Sequence, residues 1–101
     1  MKGREVGLKK VKMKELSFNQ IKNKIHLKKV EYSIIKKVSK EIKTKQYDKL
    51  TFYKDYKSKM LWLSGYGLGL ENLKFYEIEE NKIYLIETDK SMVKIYLEGG
   101  Y

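Results

Sequence analysis

From Leu73 to Glu98 the chain reads LKFYEIEE, NKIYLIETDK and SMVKIYLE, three short apolar-rich runs parted by polar residues. No other stretch limits the fold so strongly. Ile, Val, Tyr, Phe and Thr suit a pleated, half-buried surface. Glu80-Asn81 and Asp89-Lys90-Ser91 are turn-forming. The pattern predicts a three-stranded antiparallel meander. A two-residue first loop sets Tyr76 opposite Leu85 and Ile78 opposite Ile83. A three-residue second loop sets Leu85 opposite Ile95 and Ile83 opposite Leu97. Tyr76, Ile78, Ile83, Leu85, Val93, Ile95 and Leu97 then share one face. That face reads as core, because a one-residue slip would scatter it. Phe75, Glu77, Tyr84, Ile86, Lys94 and Tyr96 fall on the other face, with three aromatics close together.

Upstream, Ser17-Phe18-Asn19-Gln20 fits a capping box and predicts a helix start. Ile21 and Ile25 continue an apolar stripe, and Val30, Ile34, Ile35, Val38 and Ile42 extend it at near-helical spacing. The expectation is one helix over about 18–44, broken or not near His26-Leu27. A strand over 25–34 is the rival, since Leu27, Val30, Tyr32 and Ile34 nearly alternate. Strands are expected at about 49–54 and 59–64, with Gly65-Tyr66-Gly67-Leu68-Gly69 as a loop before the meander. The expected fold is therefore α+β. A long or broken N-terminal helix packs on an antiparallel sheet of four to five strands ending in the meander. The 101 residues form a single domain, in which residues 1–14 allow either a basic arm or an edge strand.

Charge narrows the function. The chain carries a net +10, with 22 Lys and one Arg, Arg4. Residues 1–60 hold 19 Lys/Arg against 6 Asp/Glu, a net +13, whereas residues 61–101 hold 4 against 7, a net −3. Such asymmetry points to a polyanionic partner, though Lys-rich composition is also an ordinary solvated surface. No apolar run is long enough for a membrane span, and MKGREVGLKK lacks the apolar segment of a signal peptide. The expectation is a cytoplasmic protein without a membrane partner. The absence of Cys excludes disulfides and thiolate metal sites.

Catalytic patterns are sparse. Gly65, Gly67 and Gly69 are not followed by Lys-Ser/Thr, and Glu71 would repel a phosphate, so a turn or bulge explains them better. His26 stands alone, without the partners of a zinc site or a triad. Glu79-Glu80 and Glu87 with Asp89 lie near turns and do not converge. No metal and no cofactor is expected.

The strongest functional signal is aromatic residues interleaved with lysines. Tyr47, Phe52, Tyr53 and Tyr56 lie among Lys49, Lys54, Lys57 and Lys59. Aromatic faces stack bases while lysines neutralise phosphates; cross-strand aromatic pairs that stabilise a sheet are the more ordinary reading of the same residues. Lys28, Lys29, Lys36, Lys37, Lys40 and Lys43 would line one helix face. Together with Lys49, Tyr53, Lys54, Tyr56 and Lys57 they form the candidate nucleic-acid surface. Lysine without arginine favours phosphate contact with little sequence choice. The leading expectation is a non-enzymatic, nucleic-acid-associated binding module for RNA or DNA. The alternative is a phage or mobile-element inhibitor or adaptor of the anti-defence type, docking on an acidic protein surface. A metal-independent ribonuclease toxin is a third reading, which no motif supports.

Overall fold

Ser17 opens the helix that its side chain requires. Its hydroxyl accepts from the Gln20 N–H at 3.1 Å, and the Gln20 side chain accepts from the Ser17 N–H at 2.8 Å. The computed structural model describes residues 13–98. In it this helix, α1 (Phe18–Ile25), buries only Ile21 and Ile25 and stops at His26. Leu27 then takes a left-handed backbone, with φ 63°, and the chain turns into strands.

Nine strands accompany α1 among the described residues: β1 (Lys14–Leu16), β2 (Val30–Lys36), β3 (Ile42–Tyr47), β4 (Phe52–Asp55), β5 (Met60–Leu63), β6 (Tyr66–Gly69), β7 (Lys74–Glu79), β8 (Ile83–Glu87) and β9 (Ser91–Leu97). They form two antiparallel sheets. The larger runs β1-β7-β8-β9-β2-β3 and the smaller β4-β5-β6. The described residues are 53% strand and 9% helix. The expected α+β fold, with a long helix on one sheet of four to five strands, is thus overturned. Most of the expectation over residues 1–14 lies outside the described residues, although Lys14 opens β1.

The error over 26–44 has a physical cause. Val30, Ile34, Val38 and Ile42 recur every four residues, an even spacing that satisfies a strand as well as a helix. Tyr32 decides between them. It is fully buried between Val30 and Ile34, while Glu31, Ser33 and Ile35 face the other way. Val38 and Ile42, placed on the helix stripe by sequence, are 91% and 63% exposed in a hairpin.

The meander forms as β7-β8-β9, but its faces need correction. Tyr76 does oppose Leu85. The β8–β9 pairing is shifted by one residue, so Tyr84 opposes Ile95, and Leu85 opposes Lys94. Residues 88–91 make the connection, closed by the Thr88 N–H donating to the Ser91 carbonyl at 2.9 Å. Only Asp89 and Lys90 then lie in the loop, one residue fewer than the three expected, and this turns β7 and β8 over relative to β9. Phe75, Tyr84, Ile86, Val93 and Ile95 are buried, and Tyr76, Ile83 and Leu85 line the half-buried outer face. Ile78 falls in a bulge between Glu77 and Glu79.

The buried Glu77 explains why sequence favoured the wrong face. Its carboxylate accepts from the Asn81 N–H at 3.0 Å and lies 3.5 Å from the Lys24 ammonium. Burial alone would raise its pKa, but the Asn81 N–H, the neighbouring Tyr84 hydroxyl and Lys24 outweigh burial and hold it below the ordinary 4.5. The Tyr84 hydroxyl, which makes no hydrogen bond of good geometry, is pushed above its usual range by burial and by this carboxylate.

One continuous core joins both sheets and α1. Phe52 stacks on Phe18 at 5.3 Å and meets Phe75 edge-on at 6.3 Å. The strands expected at 49–54 and 59–64 are present as β4 and β5. The glycine stretch is not a loop. Ser64 and Gly65, with φ 47° and 94°, make a two-residue turn of the kind that favours positive φ at both positions. Tyr66–Gly69 is strand β6.

Candidate nucleic-acid interface

The small sheet separates its two faces by strict alternation. In β5, Leu61 and Leu63 are fully buried and Trp62, between them, points outward. Tyr53 of β4 and Gly67 of β6 lie opposite Trp62 on either side, and Asp55, Met60 and Gly69 form the next row. The outer face therefore carries Tyr53, Trp62, Met60 and the carboxylate of Asp55 beside two residues with no side chain.

Hydrogen-bond phase sets how closely these residues approach. Ser64 N–H donates to Thr51 C=O and Leu70 N–H donates to Lys59 C=O. Alternation from these bonds makes Trp62–Gly67 a non-hydrogen-bonded pair, the closer type in an antiparallel ladder. The indole accordingly lies over Gly67. A Cβ at that glycine would stand 2.8 Å from Trp62 Cζ3 and 2.6 Å from Met60 Cε. Tyr53 is 47% exposed, and Tyr56, in the β4–β5 turn, is 72% exposed. That turn is shaped by Asp55, whose carboxylate accepts from the Lys57 N–H at 3.0 Å.

The sequence-derived site residues do not share one face. Lys28 and Lys29 follow α1, near Lys49, because Leu27 and Leu50 are joined through backbone bonds that include Lys28. Lys36, Lys37, Lys40 and Lys43 lie instead on the β2–β3 hairpin. The helix face expected to unite these six lysines does not exist. Lys37 is 3.1 Å from Glu87, and Lys43 is 4.0 Å from Glu41. Lys54 is half-buried, with its ammonium 4.4 Å from the centre of the Phe18 ring and 5.8 Å from that of Tyr56. It serves aromatic packing. Lys49 and Lys57 are exposed, as is Lys59 in the same turn as Lys57. Of the residues offered, the small sheet sets Tyr53 beside Trp62, with Tyr56, Lys57 and Lys59 in its β4–β5 turn, and Lys49 precedes β4.

Several aromatics offered for stacking are used elsewhere. Phe52, Phe75 and Tyr84 are core. Tyr47 stacks on Tyr32 at 5.6 Å between ring centres. Sequence reasoning expects the strand that holds Trp62 but does not place Trp62 among the site residues. The signal was present in Met60-Leu61-Trp62-Leu63, where two leucines claim the buried face and leave Trp62 the other.

His26 is structurally engaged. Its Nδ1 accepts from the Phe52 N–H at 3.1 Å, tying the end of α1 to β4. Among the described residues no three His, Cys, Asp or Glu side chains gather at one place, and no helix is long and apolar enough to cross a membrane. No family model, curated protein or solved structure matches the chain.

Proposed function

We propose that this chain is a non-enzymatic nucleic-acid-binding module that holds single strands on the outer face of β4-β5-β6. The outward pair Tyr53–Trp62, with the indole seated over Gly67, is the observation that carries the reading. A flat aromatic surface on a sheet accepts the π-face of any base. Lys49 precedes β4, and Lys57 and Lys59 follow it in the β4–β5 turn; all three are exposed and would neutralise phosphates of a strand laid along this face. The net charge of +10 draws a polyanion to the surface. Lysines without arginine favour affinity over sequence choice. Such a module would work in the cytoplasm.

Trp62 is the single tryptophan of the chain, so its fluorescence reports directly on the site. Titration with a single-stranded oligonucleotide at low salt should quench it. Trp62→Ala should weaken binding, measured by anisotropy of a labelled strand, by roughly 5- to 150-fold, the range for one stacked base. Binding that leaves Trp62 fluorescence unchanged would exclude this face, and no binding at low salt would exclude nucleic acid as the partner.

A further inference from the structure

Strand β3 is the outermost strand of the large sheet. Ile42 through Gln46 are all exposed, and only Tyr47 is half-buried. Its ladder to β2 runs through six consecutive pairs without a bulge. The Lys36 N–H donates to the Glu41 carbonyl at 3.0 Å, which fixes the phase of the ladder. By alternation, Lys43 and Lys45 turn their backbone groups towards β2. The N–H and C=O groups of Ile42, Thr44 and Gln46 therefore point away from the sheet, and β3 pairs only with β2 among the described residues. A straight row of free donors and acceptors is a template for another strand.

The side chains select which strand can be added. Lys43 and Lys45 project to one side, and Ile42, Thr44 and Gln46 to the other. Directly opposed charges on neighbouring strands must be of unlike sign to stabilise the pair. A second copy of β3 would set lysine against lysine, between two chains that each carry +10. Acidic residues opposite Lys43 and Lys45, with β-branched residues opposite Ile42 and Thr44, would satisfy both sides.

We propose that β3 is a docking edge at which an extended acidic segment of a partner protein, alternating Asp or Glu with β-branched residues, adds a seventh strand to the large sheet. Main-chain bonds to Ile42, Thr44 and Gln46 supply the affinity, and the two lysines supply the selectivity. The edge belongs to the other sheet from the aromatic face and stands whether or not that face binds nucleic acid.

The probe is a fluorescein-labelled, end-blocked heptapeptide of alternating Glu and Val, titrated at low salt and read by anisotropy. Thr44→Pro removes an outward N–H while leaving the backbone bonds between β2 and β3 in place, at the loss of the exposed Thr44–Ser33 hydroxyl contact, and proline is tolerated on an edge. It should lower affinity at least tenfold with the urea midpoint unchanged. The double variant Lys43→Glu, Lys45→Glu should reverse the preference, binding a Lys/Val heptapeptide over the Glu/Val one. This swap decides the matter should Thr44→Pro disturb folding. The proposal is overturned by no binding of the Glu/Val peptide, by equal binding in a folded Thr44→Pro protein, or by an unreversed preference in the double variant. It is overturned too if a single-stranded oligonucleotide displaces the peptide and loses affinity equally on Thr44→Pro, which would make the edge a nucleic-acid contact.

Discussion

The hydroxyl of Tyr32 donates to the carbonyl of Leu63 across 3.0 Å of buried interior, joining the large sheet to the central strand of the small one. Tyr32 lies on β2 and is fully buried. Its ring fills the space between the sheets, and its hydroxyl fixes their relative position. Tyr32→Phe keeps the ring and removes the donor. The expected loss is about 0.5–1.5 kcal/mol in urea unfolding, the net worth of one ordinary hydrogen bond. No loss would mean that the sheets are positioned by apolar packing alone.

Gly67 should be as important to the aromatic face as Trp62 itself. Met60 Cε can move aside from an added methyl, but the indole ring must shift as a unit. Gly67→Ala should displace Trp62 from its seat, shift its emission and weaken single-strand binding, with a smaller change in stability. An unchanged emission spectrum would show that Met60 alone absorbs the methyl.

Ile86 and Leu85 are adjacent on β8 and point to opposite faces, which makes them a direct test of the meander. Ile86 is fully buried, whereas Leu85 is half-buried on the outer face. Ile86→Ala should cost about 2–5 kcal/mol, as large-to-small changes in cores do. Leu85→Ala should cost clearly less. The reverse order would restore the register that the sequence alone suggests.

The Glu77 cluster should make stability depend on acid. Because the folded carboxyl titrates below its ordinary 4.5, the unfolded chain binds more protons between the two values. Stability therefore rises with pH across that window. The contribution is complete above about pH 4.5 and fades as pH falls through the lower, folded value. Glu77→Gln should be less stable at neutral pH, having lost the charge-assisted contacts to Asn81 and Lys24, and should flatten the acid limb of the curve. An acid limb of wild-type steepness in this variant would assign the effect to other carboxylates.

What the sequence revealed was local. The capping box of Ser17 and Gln20 spans three residues and needs no tertiary context, so the helix start was evident. The strands 74–79, 83–87 and 91–97 were evident because their β-branched and aromatic residues are bounded by turns. The helix end was not, because the four-residue spacing of Val30, Ile34, Val38 and Ile42 serves either period. The meander's core face depended on one loop residue at Thr88–Ser91 and on a buried Glu77, whose compensation by Lys24 and Asn81 is tertiary. The grouping of Lys28, Lys29, Lys36, Lys37, Lys40 and Lys43 depends on one helix over 18–44, and the β2–β3 hairpin disperses what that helix would have collected. The aromatic–lysine interleaving of 47–59 pointed to the right neighbourhood. It omitted Trp62, which reaches the same face from the next strand.

The last prediction separates charge from stacking on the small sheet. Lys57 and Lys59 are exposed in the β4–β5 turn, and neither has an ion-pair partner among the described residues. Each phosphate they neutralise on a single strand releases condensed counterions and adds about −0.7 to the slope of log K against log salt. Reversing both, Lys57→Glu with Lys59→Glu, should make that slope shallower by about 1.4 if each engages one phosphate. Binding should weaken alike for all oligonucleotide sequences. Stability should barely move, because exposed charges contribute little to folding. Trp62→Ala acts through the π-face of a base and carries no charge, so it should lower affinity at every salt concentration while keeping the slope. Anisotropy titrations of both proteins over a salt series resolve the two effects. A slope change in Trp62→Ala, or none in the lysine double variant, would mean that phosphates and bases are not held at this face in the way proposed, and would shift attention to the lysines of the β2–β3 hairpin.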